Sequence, residues 1–163
     1  MTFAASTEQL GKFVLDFQRV EQEIQGIACL LSEGNEQVTR ILIAKLDYGA
    51  LLTTVDAVFE YLADVKHGML PPRRKAFHDL ITELHVLGRR RNDLVHSTYT
   101  PWQDAEGNFG LIRENIKLDQ GKGVRQNQYE ELLPNALSGE VERIKSALER
   151  VDQFRLEIIN WLG

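Results

Sequence analysis

The chain has 163 residues, of which 43% are hydrophobic and 26% charged, an ordinary composition for a globular protein of one domain. Its net charge of −5 at neutral pH excludes a protein that coats nucleic acid over its whole surface, but not a local basic site. No stretch approaches the roughly 20 apolar residues that span a bilayer, and the first residues lack the pattern of a secretory signal. We therefore expect a cytoplasmic protein, with residues 1–163 in a single domain and no membrane contact.

The first part of the chain predicts two long helices, because apolar residues recur there every three or four positions. The first helix is predicted to be capped by Ser6 or Thr7 and to end at Gly34-Asn35. The second is predicted from about Glu36 to Lys66, with apolar residues on more than one face. A helix of this kind usually lies at the centre of a bundle.

A third helix is predicted to open at Pro71-Pro72 and to run to about Ser97 or Tyr99, before Pro101. Turn-forming residues 104–108 then separate a tryptophan from an alternating apolar segment, which predicts a short β-hairpin.

Towards the end of the chain, residues 129–133 predict one or two helical turns, and Ser138 is predicted to cap a last helix. The predicted fold is all-α: an up-and-down bundle of four to five helices with a small β-hairpin or loop insertion before the last helix. A long coiled coil is the alternative, and the breaks between helices disfavour it.

The third predicted helix carries an arginine on its apolar face. At about 100° per residue, Arg91 falls in the middle of the stripe that begins at Phe77. A buried arginine needs a partner, since an unpaired charge is costly there. One interpretation is an ion pair with Asp47, Asp56 or Glu60 of the second helix; the other is a functional partner.

Three histidines and an asparagine lie along one edge of the same helix: His78, His85, Asn92 and His96. The histidines are two or three helical turns apart, too far for one zinc ion to bind them all. We therefore expect no metal site and no cofactor. Asn92 and His96 are four residues apart and so are neighbours on the helix surface. Arg89 shares their edge.

The segment Arg91-Asn92-Asp93-Leu94-Val95-His96 resembles the motif of the HEPN superfamily: an arginine, an adjacent polar residue and, after four to six intervening residues, a histidine late in a core helix. Trp102, Gly107 and Arg113 resemble a tryptophan, a glycine turn and an arginine that precede the last helix in many members. In some toxin members a tyrosine, modified by a partner enzyme, stands two residues after the histidine; this chain has Thr98 there.

The resemblance implies metal-independent cleavage of RNA. His96 would act as general acid or base on the ribose 2′-hydroxyl or the leaving oxygen, Arg91 would stabilise the transition state, and Asn92 would hold the geometry. Members generally form homodimers in which two motifs face one cleft, and many belong to toxin–antitoxin or phage-defence systems, so an antitoxin protein is a further expected partner. The expected RNA-binding residues are Arg89, Arg90, Tyr99 and Arg113.

Three hypotheses stay open from the sequence. The first is an endoribonuclease that uses Arg91 or Arg89 as its catalytic arginine. The second is a non-catalytic HEPN-like module that binds a nucleotide, RNA or a partner protein with the same residues. The third is a helical dimerisation domain in which Arg91 forms a structural ion pair.

Overall fold

The computed structural model describes residues 3–119 and 121–163. Five helices and three strands follow one another as α1 (Ala4–Ser32), α2 (Glu36–Ile43), α3 (Tyr48–Val65), α4 (Pro71–Val95), β1 (Thr98–Gln103), β2 (Phe109–Asp119), β3 (Val124–Leu132) and α5 (Ser138–Leu162). The prediction of an all-α fold is therefore wrong: the segment between α4 and α5 forms a distinct sheet of three strands rather than a small insertion.

The sheet is antiparallel, with strand order β1-β2-β3. Its register pairs Thr98 of β1 with Glu114 of β2, and Glu114 in turn with Tyr129 of β3. The part of β2 beyond Glu114 pairs with β3 alone and continues as a two-stranded ribbon. The predicted hairpin thus exists as β1 and β2, joined by a turn in which Gly107 adopts a positive φ of 88°.

The third strand replaces a predicted helical segment. Residues 129–133 were expected to form one or two helical turns, but most of them lie in β3. Glutamate and leucine favour helices by intrinsic propensity, yet strand pairing with β2 overrides such a weak preference. Leu132, at the end of β3, is buried beside its cross-strand neighbour Leu111.

The single helix predicted from about Glu36 to Lys66 is wrong, because the chain breaks between Ile43 and Tyr48 to form α2 and α3. Asp47 caps α3, and its side chain accepts a hydrogen bond from the backbone N–H of Ala50 at 2.8 Å. Three apolar residues of α2 are more than half exposed: Val38, Ile41 and Leu42.

Helix α1 begins before its predicted caps. Ser6 and Thr7 lie inside the helix, which starts at Ala4. The buried Ser6 hydroxyl donates to the carbonyl oxygen of Leu132 at 3.0 Å, and the Thr7 hydroxyl donates to that of Phe3 at 2.9 Å. Both hydroxyls therefore bond to carbonyl groups and neither caps the helix.

The chain divides into two compact units, and α1, α4 and α5 contribute residues to both. The larger unit comprises 16–88 and 144–163. Aromatic side chains form part of its core: the rings of Phe59 and Phe77 stack at 4.1 Å, and Phe77 meets Phe154 edge-on at 5.2 Å. The predicted apolar stripe of α4 is confirmed here by the burial of Phe77, Leu80, Ile81, Leu84 and Leu87.

The smaller unit comprises 1–15 and 89–143, and it holds the sheet, the start of α1, the end of α4 and the start of α5. Its buried apolar residues are Phe13, Leu94, Leu111, Leu132, Leu137 and Val141. Every residue of the predicted motif lies in this unit. Across residues 3–119 and 121–163, no helix is both long enough and apolar enough to cross a bilayer.

Candidate functional site

The motif lies where α4 ends and the chain turns into the sheet. The helix was predicted to reach Ser97 or Tyr99, but it ends at Val95, because β1 begins at Thr98. The backbone N–H of His96 donates to the carbonyl oxygen of Asn92 at 3.0 Å, which closes one last helical turn. Asn92 and His96 therefore share one edge as expected, and both are exposed.

Arg91 is half-buried, and its side chain turns towards the same edge. On a helix, Arg91 and His96 leave the axis about 140° apart, which would separate them if both side chains pointed straight outwards. The Nη1 of Arg91, however, donates to the Oδ1 of Asn92 at 3.0 Å. This contact carries the guanidinium towards the edge on which Asn92 precedes His96 by one turn.

The three carboxylates considered as structural partners of the motif arginine have other partners in the larger unit. Asp47 caps α3. Asp56 lies 2.7 Å from the Nδ1 of His78, and Glu60 lies 2.5 Å from an Nη atom of Arg74. Each of the three carboxylates thus has a described contact within its own unit.

Arg90 is held inside the smaller unit. Its guanidinium makes two hydrogen bonds to the carboxylate of Glu130, at 2.8 Å and 2.5 Å, and a third to Glu140 at 3.1 Å. Its bonds to Glu130 raise the pKa of Arg90, and the same bonds lower the pKa of Glu130 against the opposing effect of burial. The charge of Arg90, which was expected to bind RNA, is thus balanced by two carboxylates.

Arg113, also expected to bind RNA, is only 5% exposed. Its Nε donates to Glu130 at 2.7 Å, and its Nη1 donates to the Ser97 hydroxyl at 3.0 Å and to the Asp93 carbonyl at 3.4 Å. Since Arg113 lies in β2, it links the sheet to the end of α4.

Tyr99 is half-buried, and its hydroxyl donates to the carbonyl oxygen of Leu94 at 2.5 Å. Burial raises the pKa of Tyr99, and the nearby positive charges of Arg113 and Arg90 partly offset that rise. A neutral hydroxyl committed to a backbone carbonyl suits a structural role at the helix end better than contact with RNA.

Arg89, the remaining arginine of the motif region, is exposed. In the described part of the chain, no group of three histidine, cysteine, aspartate or glutamate side chains is placed to hold a metal ion.

Sequence reasoning missed Glu130 and Ser97, which both contact Arg113. Neither carries a recognisable motif. Only knowledge that residue 130 lies in a strand paired with residue 113 could have found the first contact.

In comparisons with known proteins, no family model, curated protein or solved structure matches the chain.

Proposed function

We propose that this protein is a metal-independent endoribonuclease whose active site is formed by Arg91, Asn92 and His96. The observation that carries the proposal is the hydrogen bond between the Arg91 guanidinium and the Asn92 amide oxygen. This bond places the guanidinium of Arg91 beside the amide of Asn92 at one edge of the helix end. The exposed imidazole of His96 lies on the same edge, one turn later. These are the groups that transfer of a phosphodiester to the neighbouring 2′-hydroxyl requires.

His96 is suited to proton transfer because its side chain is exposed and no acidic partner holds it. Among the described residues, His78 is paired with Asp56, whereas no carboxylate forms an ion pair with His96. Histidine is the usual general acid or base near neutral pH. In the proposed reaction His96 removes the proton of the 2′-hydroxyl or protonates the leaving 5′-oxygen.

Arg91 stabilises the negative charge that builds on the phosphate oxygens in the transition state. Asn92 orients the guanidinium through the observed contact at 3.0 Å. The 2′-oxygen attacks phosphorus and the bond to the 5′-oxygen breaks. The products are one RNA end with a 2′,3′-cyclic phosphate and another with a 5′-hydroxyl, and neither step consumes water or a metal.

The proposal extends to a homodimer in which the two motifs face one cleft, which the resemblance to HEPN proteins implies. Val95, next to His96, is 45% exposed, and a second subunit would cover such an apolar side chain. We further propose a cytoplasmic toxin or phage-defence role under the control of an antitoxin protein. That part rests on the resemblance alone.

The alternative is a non-catalytic module that binds RNA, a nucleotide or a partner protein with the same residues. The pairing of Arg90 and Arg113 with Glu130 supports the form that binds a partner protein, because little positive charge remains around the motif for tight, unspecific binding of RNA. A catalytic site avoids this difficulty if RNA is recognised by a specific shape or delivered by a partner.

Single-turnover kinetics of four variants test the proposal: Arg91→Ala, Asn92→Ala, His96→Ala and, as the matched control, Arg89→Ala. Loss of one charge-stabilising group commonly lowers the rate constant by a factor of about 10² to 10³. We expect such a loss for Arg91→Ala and His96→Ala, a smaller one for Asn92→Ala, and mainly weaker RNA binding for Arg89→Ala. If Arg89→Ala abolishes the reaction and Arg91→Ala does not, the assigned arginine is wrong. If all four variants bind RNA and neither they nor the parent cleaves it, the non-catalytic alternative holds.

A further inference from the structure

Side chains from outside the helix form hydrogen bonds to the carbonyl groups at the end of α4. The last carbonyl groups of a helix have no partner within it and need other donors. Here the carbonyl of Asp93 accepts from the Ser97 hydroxyl and from Arg113, and the carbonyl of Leu94 accepts from the Tyr99 hydroxyl. These two carbonyls immediately follow Asn92, whose own carbonyl accepts the N–H of His96.

Arg113 is itself fixed by a ring of contacts within the smaller unit. Its Nε donates to the carboxylate of Glu130 in β3, and the same carboxylate accepts two hydrogen bonds from Arg90 of α4. Arg90 also binds Glu140 of α5. The contacts thus connect Arg90 of α4 with Glu130 of β3, Glu130 with Arg113 of β2, and Arg113 with the carbonyl of Asp93. Asp93 lies three residues after Arg90 on the same helix.

We propose that Arg113 and Tyr99 are positioning residues that hold His96 in place for the reaction, through the carbonyl groups of Asp93 and Leu94. The expected effect on kcat rests on the proposed function, whereas the expected effect on the His96 backbone does not. Each residue acts through the backbone of the last helical turn, and neither contacts RNA. Two hydrogen bonds at this turn limit the rotation of the segment 95–97, which carries His96.

The burial of Arg113 favours a positioning role over RNA binding. Only 5% of Arg113 is exposed, and its charge is neutralised by Glu130, so an RNA phosphate would have to displace a carboxylate to reach it. The Tyr99 hydroxyl already donates its one proton to the carbonyl of Leu94. A positioning residue of this kind affects the rate constant of the bound complex, because displacement of a catalytic group by about 1 Å can cost a factor of about 10².

The test uses conservative variants with matched controls on the same sheet. Tyr99→Phe removes one hydroxyl, and Tyr129→Phe removes another from a tyrosine that is 65% exposed. Arg113→Gln removes the buried guanidinium, and Arg125→Gln removes an exposed one from β3. For each protein, kcat and KM are measured on one RNA substrate. The exchange rate of the His96 backbone amide with solvent deuterium is measured by NMR spectroscopy.

We expect kcat to fall about 10-fold for Tyr99→Phe and up to about 100-fold for Arg113→Gln, with KM unchanged and both controls unaffected. The His96 amide should exchange about 10-fold faster in both variants, because its hydrogen bond to Asn92 then opens more often. A rise in KM at constant kcat would overturn the proposal and assign Tyr99 and Arg113 to RNA binding. Unchanged kcat together with unchanged exchange would overturn it as well.

The exchange measurement separates this inference from the proposed function. If the parent protein cleaves no RNA, faster exchange at His96 in Tyr99→Phe still supports the positioning role, whereas unchanged exchange contradicts it. If Arg113→Gln does not fold, Ser97→Ala takes its place, since the Ser97 hydroxyl donates to the same carbonyl of Asp93 as Arg113 does. Its expected effects are the same in direction and similar in size to those of Tyr99→Phe.

Discussion

The Nε of Arg113 lies 2.7 Å from the Oε2 of Glu130, and this bond ties two paired strands to the end of the helix that carries the motif. The same carboxylate also binds Arg90. One glutamate therefore pairs with two arginines that were both expected to bind RNA. The charge of Glu130 should accordingly control how the stability of this unit depends on pH.

The pKa of Glu130 is lowered from its ordinary value of 4.5, chiefly by its hydrogen bonds to Arg90. The folded protein thus binds this proton less readily than the unfolded chain does. The resulting stabilisation is fully present above the unfolded pKa and is lost as the pH falls through the lower folded pKa. Glu130→Gln should lower the free energy of unfolding at neutral pH and flatten its fall in acid.

Urea unfolding between about pH 7 and about pH 3 measures this difference. Glu131→Gln is the matched control, because its side chain is exposed and the residue adjoins Glu130 in β3. The control should keep the acid dependence of the parent protein. A Glu130→Gln protein that is equally stable and equally acid-sensitive would show that the bonds to both arginines contribute nothing measurable.

Gly110 allows a close approach between β2 and the end of β3. A Cβ at this position would lie 2.6 Å from the carbonyl oxygen of Leu132, which is backbone and cannot easily move. Gly110→Ala should therefore lower the free energy of unfolding by about 1 to 3 kcal/mol. Gly11→Ala is the control: a Cβ there meets nothing within 4 Å, and alanine in a helix should stabilise by about 0.5 to 1 kcal/mol. Equal stability of the two variants would contradict the close approach.

RNA binding should depend only weakly on salt, because Arg90 and Arg113 are engaged with Glu130. If Arg89 and Arg91 contact two phosphates, the logarithm of the association constant should fall against the logarithm of salt concentration with a slope of about −1 to −2. Fluorescence anisotropy with a labelled single-stranded RNA measures it. Arg89→Gln should make the slope shallower, whereas Arg90→Gln should leave the slope unchanged and lower the melting temperature. A shallower slope for Arg90→Gln would mean that Glu130 releases this arginine to RNA.

Because the proposed site takes Arg91, Asn92 and His96 from one helix end, mixtures of inactive subunits should stay inactive even in a homodimer. Light scattering should give twice the chain mass of 18.6 kDa. If one site instead takes its arginine and its histidine from different subunits, mixing Arg91→Ala with His96→Ala should restore activity, since about half of the dimers then hold one intact site. A dimer whose mixed variants stay inactive would place both residues of a site in one subunit. A monomer would remove the shared cleft altogether.

The sequence predicted the helices with continuous apolar stripes well, and it predicted the surroundings of the motif poorly. The apolar positions of α4 follow from helical periodicity, which is a local property. The break before Tyr48 was missed because apolar residues continue across it, although Asp47 is a helix cap that could have indicated it. Strand β3 was missed because its pairing with β2 is a long-range interaction.

For the site, periodicity placed Asn92 and His96 correctly on one exposed edge, because their spacing is fixed by the helix. The direction of a long side chain is not fixed in this way. Arg90 was expected to bind RNA, yet its partners are carboxylates from β3 and α5. No local pattern in the sequence brings those carboxylates to the arginine.

Cleavage of RNA in the presence of EDTA tests whether this protein is a metal-independent endoribonuclease. The purified protein and its His96→Ala variant, prepared in parallel, are incubated with one labelled RNA, and the new ends are analysed chemically. We expect cleavage that persists in EDTA, leaves 2′,3′-cyclic phosphate and 5′-hydroxyl ends, and is lost in His96→Ala. Cleavage that stops in EDTA and returns with a divalent metal would contradict the mechanism, and equal cleavage by His96→Ala would contradict the assignment of the site.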